Sequence, residues 1–233
     1  MPLEKVNLSG MKQEHEEGLR QQIDRFTKVD RGGWKVGLTS GGSRDGMGIG
    51  FRPFGHIAKD RIYESGISIK LSQVGDIGVE NELCFLFGET VPMDADLGRI
   101  QHCVEALRPG FELNERRLDG TATVCDRLAD NLSQYGIVVG TPFSGFRDLE
   151  LKDLVVTLLR DDSEIATVYA EGHIDDHYDS LLALVRVLAK FDRRIEAGDH
   201  VITGAFARER VEQASAWRGD FGLGIGSVEV NFE

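Results

Sequence analysis

The sequence predicts an α+β fold built on a mixed β-sheet with flanking helices. Three observations carry that expectation. Segments rich in β-branched and aromatic residues outnumber amphipathic helical ones, and the two kinds do not alternate as a parallel βαβ chain requires. Glycine is abundant, at 28 residues beside five prolines, which suits many tight turns between strands. A chain of 233 residues suits one large domain or a smaller one with an N-terminal extension.

In chain order, residues 1–30 are expected as an N-terminal helical segment ahead of a main domain over 31–233. Within "MKQEHEEGLRQQIDRFTKVD", Met11, Leu19, Ile23 and Phe26 form one modest apolar stripe, with "EHEE" as its wet face. "GGWKVGLTSGG" predicts a strand from Trp34 to Leu38 between glycine turns, followed by a long glycine-dotted loop to about residue 55. Strands follow at "RIYESGISIKL" and over 79–87. Leu97, Ile100, Val104 and Leu107 have helical spacing, and "RPGFELNERRL" reads as a strand. "TVCDRLADNLSQYG" predicts a helix closed by Gly136, and "GIVVG" a strand. "LVVTLLRDDSEIATV" is a hairpin across a polar turn. A helix from Ser180 to Phe191 takes Asp179 as its N-cap, and "GDHVITG" and "GLGIGSVEVNF" close the chain as strands.

Charge narrows the function. Lys and Arg total 27 against 39 Asp and Glu, a net charge of -12 with no basic run, which argues against nucleic acid or an anionic membrane as partner. No stretch has the roughly 18 apolar residues of a spanning helix, and "MPLEKVNLSGMKQEHEEG" has no apolar signal core. The expected setting is cytoplasmic. Cys84, Cys103 and Cys125 form no CxxC pair, so neither a disulfide framework nor a zinc set is expected, and Cys84 reads as a small buried hydrophobe.

The chemistry concentrates in "GVENELCFLFG". Glu80, Glu82, Cys84 and Leu86 share one strand face, and Val79, Leu83, Phe85 and Phe87 the other. Two glutamates at this spacing most often make a wet strand face. Here both faces turn apolar after Glu82, so the acids enter a core and need a positive partner. Glu112 in "PGFELNE" offers a third carboxylate, Lys35 in "GWKVG" an amine among apolar neighbours, and "ADNLSQ" polar groups at Asp130, Asn131 and Ser133. Three carboxylates without Cys or His favour a hard divalent cation, Mg²⁺ first, then Mn²⁺ or Ca²⁺. His173 and His177, four apart among aspartates, are a weaker metal candidate in a polar loop. His56 and His102 read as structural, and Gly222, Gly224 and Gly226 precede a strand rather than the helix a nucleotide loop needs.

"GWKVGLTS", "VENELCFLF", "GFELNERRL", "RLADNLSQYGIVVG" and "IEAGDHVITG", in this order, resemble the family of 2-keto-4-pentenoate hydratases and 4-oxalocrotonate decarboxylases within the fumarylacetoacetate hydrolase superfamily. The resemblance runs from about residue 12 to the C-terminus. It implies a mixed sheet rolled on itself with helices outside, the catalytic domain being 31–233, a Mg²⁺ or Mn²⁺ cofactor and a homo-oligomer. It also implies a small anionic keto-acid substrate of the kind met in aromatic catabolism, and association with a partner enzyme of the same pathway. Carried over by position, it makes Glu80, Glu82 and Glu112 the metal ligands and Lys35 the catalytic lysine, with Val36, Leu38 and Ser133 against the substrate.

The chain also departs from the family. Where hydratases tend to carry an acid in a P-D-aromatic-G segment, implicated in positioning or activating the added water, this chain has "RPFGHI", with Arg52, Pro53 and Phe54 before Gly55; the change weakens hydration and strengthens decarboxylation or another enolate reaction. "GHIDDHYDS" replaces a G-H-P turn, and "TGA" at Thr203 to Ala205 replaces TGS. The expected function is a metal-dependent lyase of hydratase type acting through a metal-stabilised enolate. A decarboxylase is the alternative, then a C–C bond hydrolase, for which "HEEG" at His15 to Gly18 offers only a superficial His–Glu pair, or a non-catalytic accessory subunit. Arg108, Arg116 and Arg117 are open candidates for a substrate carboxylate.

Overall fold

The computed structural model describes residues 11–233; residues 1–10 of the expected N-terminal segment lie outside the described residues. Helix α1 (Gln13–Phe26) turns Leu19 and Gln22 fully inward. The expected wet face is corrected at His15, which is fully buried and stacks on Phe51 with ring centroids 4.2 Å apart. Glu14, Glu16 and Glu17 remain exposed. Strand β1 (Arg31–Val36) starts before Trp34 and ends before Leu38, whose φ of 63° is left-handed. The expected loop gives up its last residues to β2 (Phe54–Ala58), antiparallel to β1.

"RIYESGISIKL" divides at Gly66 into β3 (Ile62–Glu64) and β4 (Ile67–Ile69), which join different sheets. Strand β5 (Asp76–Phe87) precedes α2 (Leu97–Cys103), which stops short of the predicted helical run. Val104 and Leu107 belong instead to β6 (Val104–Arg116), opposite Phe87 and Phe85 of β5. Helical spacing over so short a run is weak evidence, and the sheet buries both residues completely. Helix α3 (Val124–Ala129) opens with a capping box between Thr123 and Asp126 and ends well before Gly136. Gly136 lies inside β7 (Gln134–Val139), where a Cβ would come within 2.7 Å of the Arg61 carbonyl.

The expected hairpin forms from β8 (Val155–Arg160) and β9 (Ser163–Tyr169). Asp161 and Asp162 take φ of 49° and 61° at its turn, the conformation a two-residue loop favours. Helix α4 (His177–Ala189) begins before Ser180 and is capped by Asp176, not Asp179; the Asp176 carboxylate accepts from the backbone N–H groups of Tyr178 and Asp179. Strands β10 (His200–Arg210), β11 (Ser215–Phe221) and β12 (Gly226–Phe232) complete the chain. "SAWRGDF", which carried no expectation, is β11, and the late glycines turn β11 into β12. No helix among the described residues is long and apolar enough to cross a membrane.

Seven strands form one mixed sheet in the order β2-β1-β10-β5-β6-β7-β3, and five form a second in the order β4-β12-β11-β8-β9. The first sheet curls until β2 approaches β7, so it is rolled on itself as expected. Its convex face packs on the second sheet and on α4, burying Val79, Leu83, Phe85 and Phe111 in the main core. The concave face holds a smaller apolar floor of Ile57, Cys84, Ile137, Val139 and Ile202. Cys84 is fully buried there, and burial pushes its thiol up to about 12, so it is the inert hydrophobe expected.

Candidate metal centre and active site

Register decides the site. Glu80 on β5 lies directly opposite Glu112 on β6, and Glu82 lies opposite Gly110. The three carboxylates offer oxygens within 4.8 Å of one another. Like charges directly across a sheet are unfavourable, and here Glu82 is 3% and Glu112 2% exposed. Strand β10 slips register on either side of Ala205, which brings Gly204 into a left-handed φ of 133° and aims its N–H at Glu82 Oε2, 2.6 Å away. Glu80 Oε1 accepts from Asn114 Nδ2 at 2.7 Å, and Arg208 lies across from Glu80 on β10 with Nη2 3.5 Å from Oε2.

Lys35 stands on β1, separated from β6 by β10 and β5, yet its buried ammonium donates a very short hydrogen bond to Glu112 Oε1. Only the curl of the sheet lets a side chain bridge that span. Gly55, opposite Lys35 on β2, leaves the lysine stem its room: a Cβ there would come within 2.8 Å of Lys35 Cγ. A second bond runs from Nζ to the Leu132 carbonyl at 3.2 Å.

That carbonyl is aimed by an uncommon turn. Asn131, Leu132 and Ser133 take left-handed φ of 63°, 53° and 63° in succession, a conformation costing L-residues roughly 1–2 kcal/mol each. The buried Asn131 amide fixes the turn by pairing with the open edge of β2. His56 N–H donates to Oδ1 at 2.7 Å, and Nδ2 donates to the His56 carbonyl at 2.9 Å. Asn131→Ala leaves both His56 backbone groups unpaired, so an unfolding free energy lower by about 2–5 kcal/mol is expected. Thermal denaturation checks this, and an unchanged melting temperature would refute the turn's dependence on Asn131.

Burial and the Glu112 charge push Glu80 up to about 7, and burial with both neighbouring carboxylates pushes Glu82 well above the ordinary carboxylate range. Native Glu80 therefore holds a proton that an unfolded chain releases near pH 4.5, so metal-free protein loses stability as pH rises toward and through 7. His56 and His177 act in the opposite sense. Burial lowers them to about 3 and about 4 from 6.5, so their contribution is lost as pH falls below 6.5. Between pH 6.5 and 8 the glutamates remain as the opposing term. A metal-free melting temperature that falls across this window, and a Mg²⁺ complex that does not follow it, is the expected pair of curves; a rising metal-free curve would contradict it. The donors fit a hard divalent cation: three oxygen ligands, with one buried amine too few to neutralise them.

The three glutamates, Lys35, Val36, Leu38 and Ser133 all line one cavity of about 210 Å³. The structure thus brings together the seven residues that the resemblance places at the site, whereas Asp130 and Asn131 stand outside its walls. Arg108, Arg116 and Arg117 are absent from its walls: Arg108 binds Glu64 and the Gly140 carbonyl, Arg116 pairs with Asp76, and Arg117 with Asp130 and Glu115. Arg127 and Arg208 line it instead, together with Thr39, Ser40, Ser43 and Met47. Neither arginine had a sequence signal, since each sits among charges at a surface-like position. Arg52 is held between Asp45 and Asp175, each 2.7 Å away. His177 is buried with Nδ1 2.8 Å from Thr203 Oγ1 and is no metal ligand here. His56 bonds Gln22, while His102 lies exposed beside Glu89.

No family model matches the chain. Among curated proteins it is 28% identical over 183 residues to a 4-oxalocrotonate decarboxylase of a Pseudomonas species, covering 76% of this chain and 71% of that one. It is 25% identical over 221 residues to a 2-keto-4-pentenoate hydratase of Paraburkholderia xenovorans (strain LB400), covering 91% and 81%. Among solved structures, the 4-oxalocrotonate decarboxylase of Pseudomonas putida G7, complexed with magnesium and adipate, superposes with a TM-score of 0.81 at 19% identity, covering 100% of this chain and 87% of that one. Fumarylpyruvate hydrolase of Pseudomonas aeruginosa, in complex with Mn²⁺ and pyruvate, gives 0.68 at 18% identity, covering 88% and 89%. The fold is of the fumarylacetoacetate hydrolase type. The chain's sequence likeness is to the 2-keto-4-pentenoate hydratases and 4-oxalocrotonate decarboxylases.

Proposed function

We propose that the protein is a divalent-metal-dependent lyase acting on a small 2-keto or 2-hydroxydienoic acid, of the hydratase type, with Glu80, Glu82 and Glu112 holding Mg²⁺ or Mn²⁺. One observation carries this reading: three carboxylates and a buried amine, from segments far apart in the chain, meet in a single cavity. Relatives named as hydratases and a decarboxylase, and neighbours solved with magnesium or manganese, support it.

When bound, the cation supplies Lewis-acid stabilisation of negative charge developing on the substrate. Lys35 Nζ carries the proton between the dienol and keto forms, held in place by Glu112 and the Leu132 carbonyl. Ser133 contributes a hydroxyl to the substrate, and Val36 and Leu38 a wall against its hydrocarbon part. The anionic substrate and the acidic protein are reconciled by the cation between them. A homo-oligomer in the cytoplasm, alone or with a partner enzyme of its pathway, belongs to the same reading.

Decarboxylation is the second reading, favoured by one observation. Pro53 stands where hydratases carry an acid, and Arg52 beside it is locked into ion pairs with Asp45 and Asp175. The hydrolase reading loses its His–Glu pair, because His15 is packed on Phe51 and is not among the residues lining the cavity. Purified protein with Mg²⁺ and either 2-hydroxypenta-2,4-dienoate or 4-oxalocrotonate, followed by ultraviolet loss and CO₂ release separately, tests the reading. Water addition without CO₂ selects the hydratase and CO₂ release the decarboxylase, whereas inertness toward both removes the lyase.

A further inference from the structure

We infer that Gln22 of α1 is a positioning residue for Lys35, which makes α1 part of the frame of the active site; this rests on the reading above. Gln22 is fully buried, and its amide joins α3 to β2 through three hydrogen bonds. Nε2 donates to the Leu128 carbonyl at 2.7 Å, in the last turn of α3, where carbonyls lack helical partners. It also donates to the Phe54 carbonyl of β2 at 3.2 Å. Oε1 accepts from His56 Nδ1 at 2.9 Å. Burial lowers His56 to about 3, so the ring is neutral and, facing an oxygen that can only accept, carries its proton on Nδ1.

Both tied segments lead to Lys35. On β2, Gly55 stands opposite Lys35 and leaves its stem room. Gly55 is held on either side: Gln22 takes the Phe54 carbonyl, and Asn131 takes both backbone groups of His56. After α3 the chain enters the left-handed turn of Asn131, Leu132 and Ser133, which sets the Leu132 carbonyl 3.2 Å from Lys35 Nζ. One buried amide on α1 thus fixes two walls around the lysine without touching it.

Removing that amide leaves the Phe54 and Leu128 carbonyls without a buried donor and lets the end of α3 shift against β2. The left-handed turn then relaxes toward ordinary backbone, and Lys35 keeps Glu112 but loses its second anchor. Misplacing a proton carrier in this way slows the reaction without weakening ligand binding.

Hydrogen–deuterium exchange at C3 of 2-oxopentanoate, followed by proton NMR on the Mg²⁺-loaded protein in deuterium oxide, reads this proton transfer alone, since the probe has no double bond to hydrate. The C3–H bond breaks, its proton passing to the neutral Lys35 amine and its electron pair into the enolate, and a deuteron returns to C3 from the same nitrogen. Gln22→Met, which keeps the volume and removes the three hydrogen bonds, is expected to lower the saturated exchange rate by about 10–10²-fold. Its half-saturating concentration and Mg²⁺ affinity should stay native. Leu19→Ala, at an equally buried but apolar position of α1, is the structural control and should melt lower yet exchange at the native rate. If Gln22→Met does not fold, Gln22→Asn, whose amide arm is one methylene short, carries the same test. A native rate in the Gln22 variant, a loss of similar size in Leu19→Ala, or a parallel loss of Mg²⁺ affinity overturns the inference while leaving the lyase reading intact. No exchange by the native protein overturns both.

Discussion

Lys35→Ala is expected to lower turnover by about 10²–10⁴-fold, the range a positioned acid–base group supplies, while Mg²⁺ affinity is kept or increased. The two halves of that result come from one contact. The ammonium lies against Glu112, so its removal deletes the proton carrier and also the one buried cation that competes with a metal for that carboxylate. Metal-free variant should be less stable than wild type, because a buried carboxylate left without its partner is costly. Turnover with the substrate that tests the lyase reading, Mg²⁺ titration and thermal denaturation are three separate readouts. A variant with full turnover would remove Lys35 from the chemistry and leave a metal-stabilised accessory protein as the better description. A variant that loses Mg²⁺ affinity together with turnover would place Lys35 in the architecture of the site and not in proton transfer.

Glu82→Gln should separate the cost of the site from its use. Glu82 is buried, its carboxyl raised by burial and by its two acidic neighbours, so a neutral amide of the same shape relieves repulsion and can still accept the Gly204 N–H. Metal-free variant is therefore expected to melt at or above the wild-type temperature. Saturating Mg²⁺ should behave in the opposite way. A ligand at a hundredfold its Kd adds about 2.7 kcal/mol to the native state, which for a chain of this size is a rise of about 5–10 °C. That rise should be nearly absent in the variant. Melting curves with and without Mg²⁺ decide it: a variant that retains the full rise would exclude Glu82 from cation binding, and a marked fall in its metal-free stability would mean that the carboxylate is held by more than Gly204.

Much of the fold was legible because local chemistry and the final structure agree. The β8–β9 hairpin has a polar turn flanked by alternating β-formers, and β5 announces itself by two apolar faces. Disagreements arose where a distant partner outbid the local signal. Val104 and Leu107 have helical spacing but find Phe87 and Phe85 across β5. The helix expected to reach Gly136 ends at Ala129 because Asn131 is claimed by the backbone of β2, which turns the chain left-handed. His15 looked wet among three acids, since nothing nearby in sequence reveals that Phe51 stacks on it.

What the sequence alone determined was the inventory: two acids entering a core strand, a third acid and a lysine in apolar settings, and a charge balance hostile to nucleic acid. Those follow from side-chain polarity and strand alternation, which are local properties. The meeting of that inventory was decided only by tertiary structure, through the register that sets Glu80 against Glu112, the slipped strand that lends Glu82 the Gly204 N–H, and the curl that carries Lys35 across intervening strands to Glu112. The same folding left Arg127 and Arg208 on the cavity wall. Register and curvature arise from pairings between residues remote in the chain, so no window of sequence contains them.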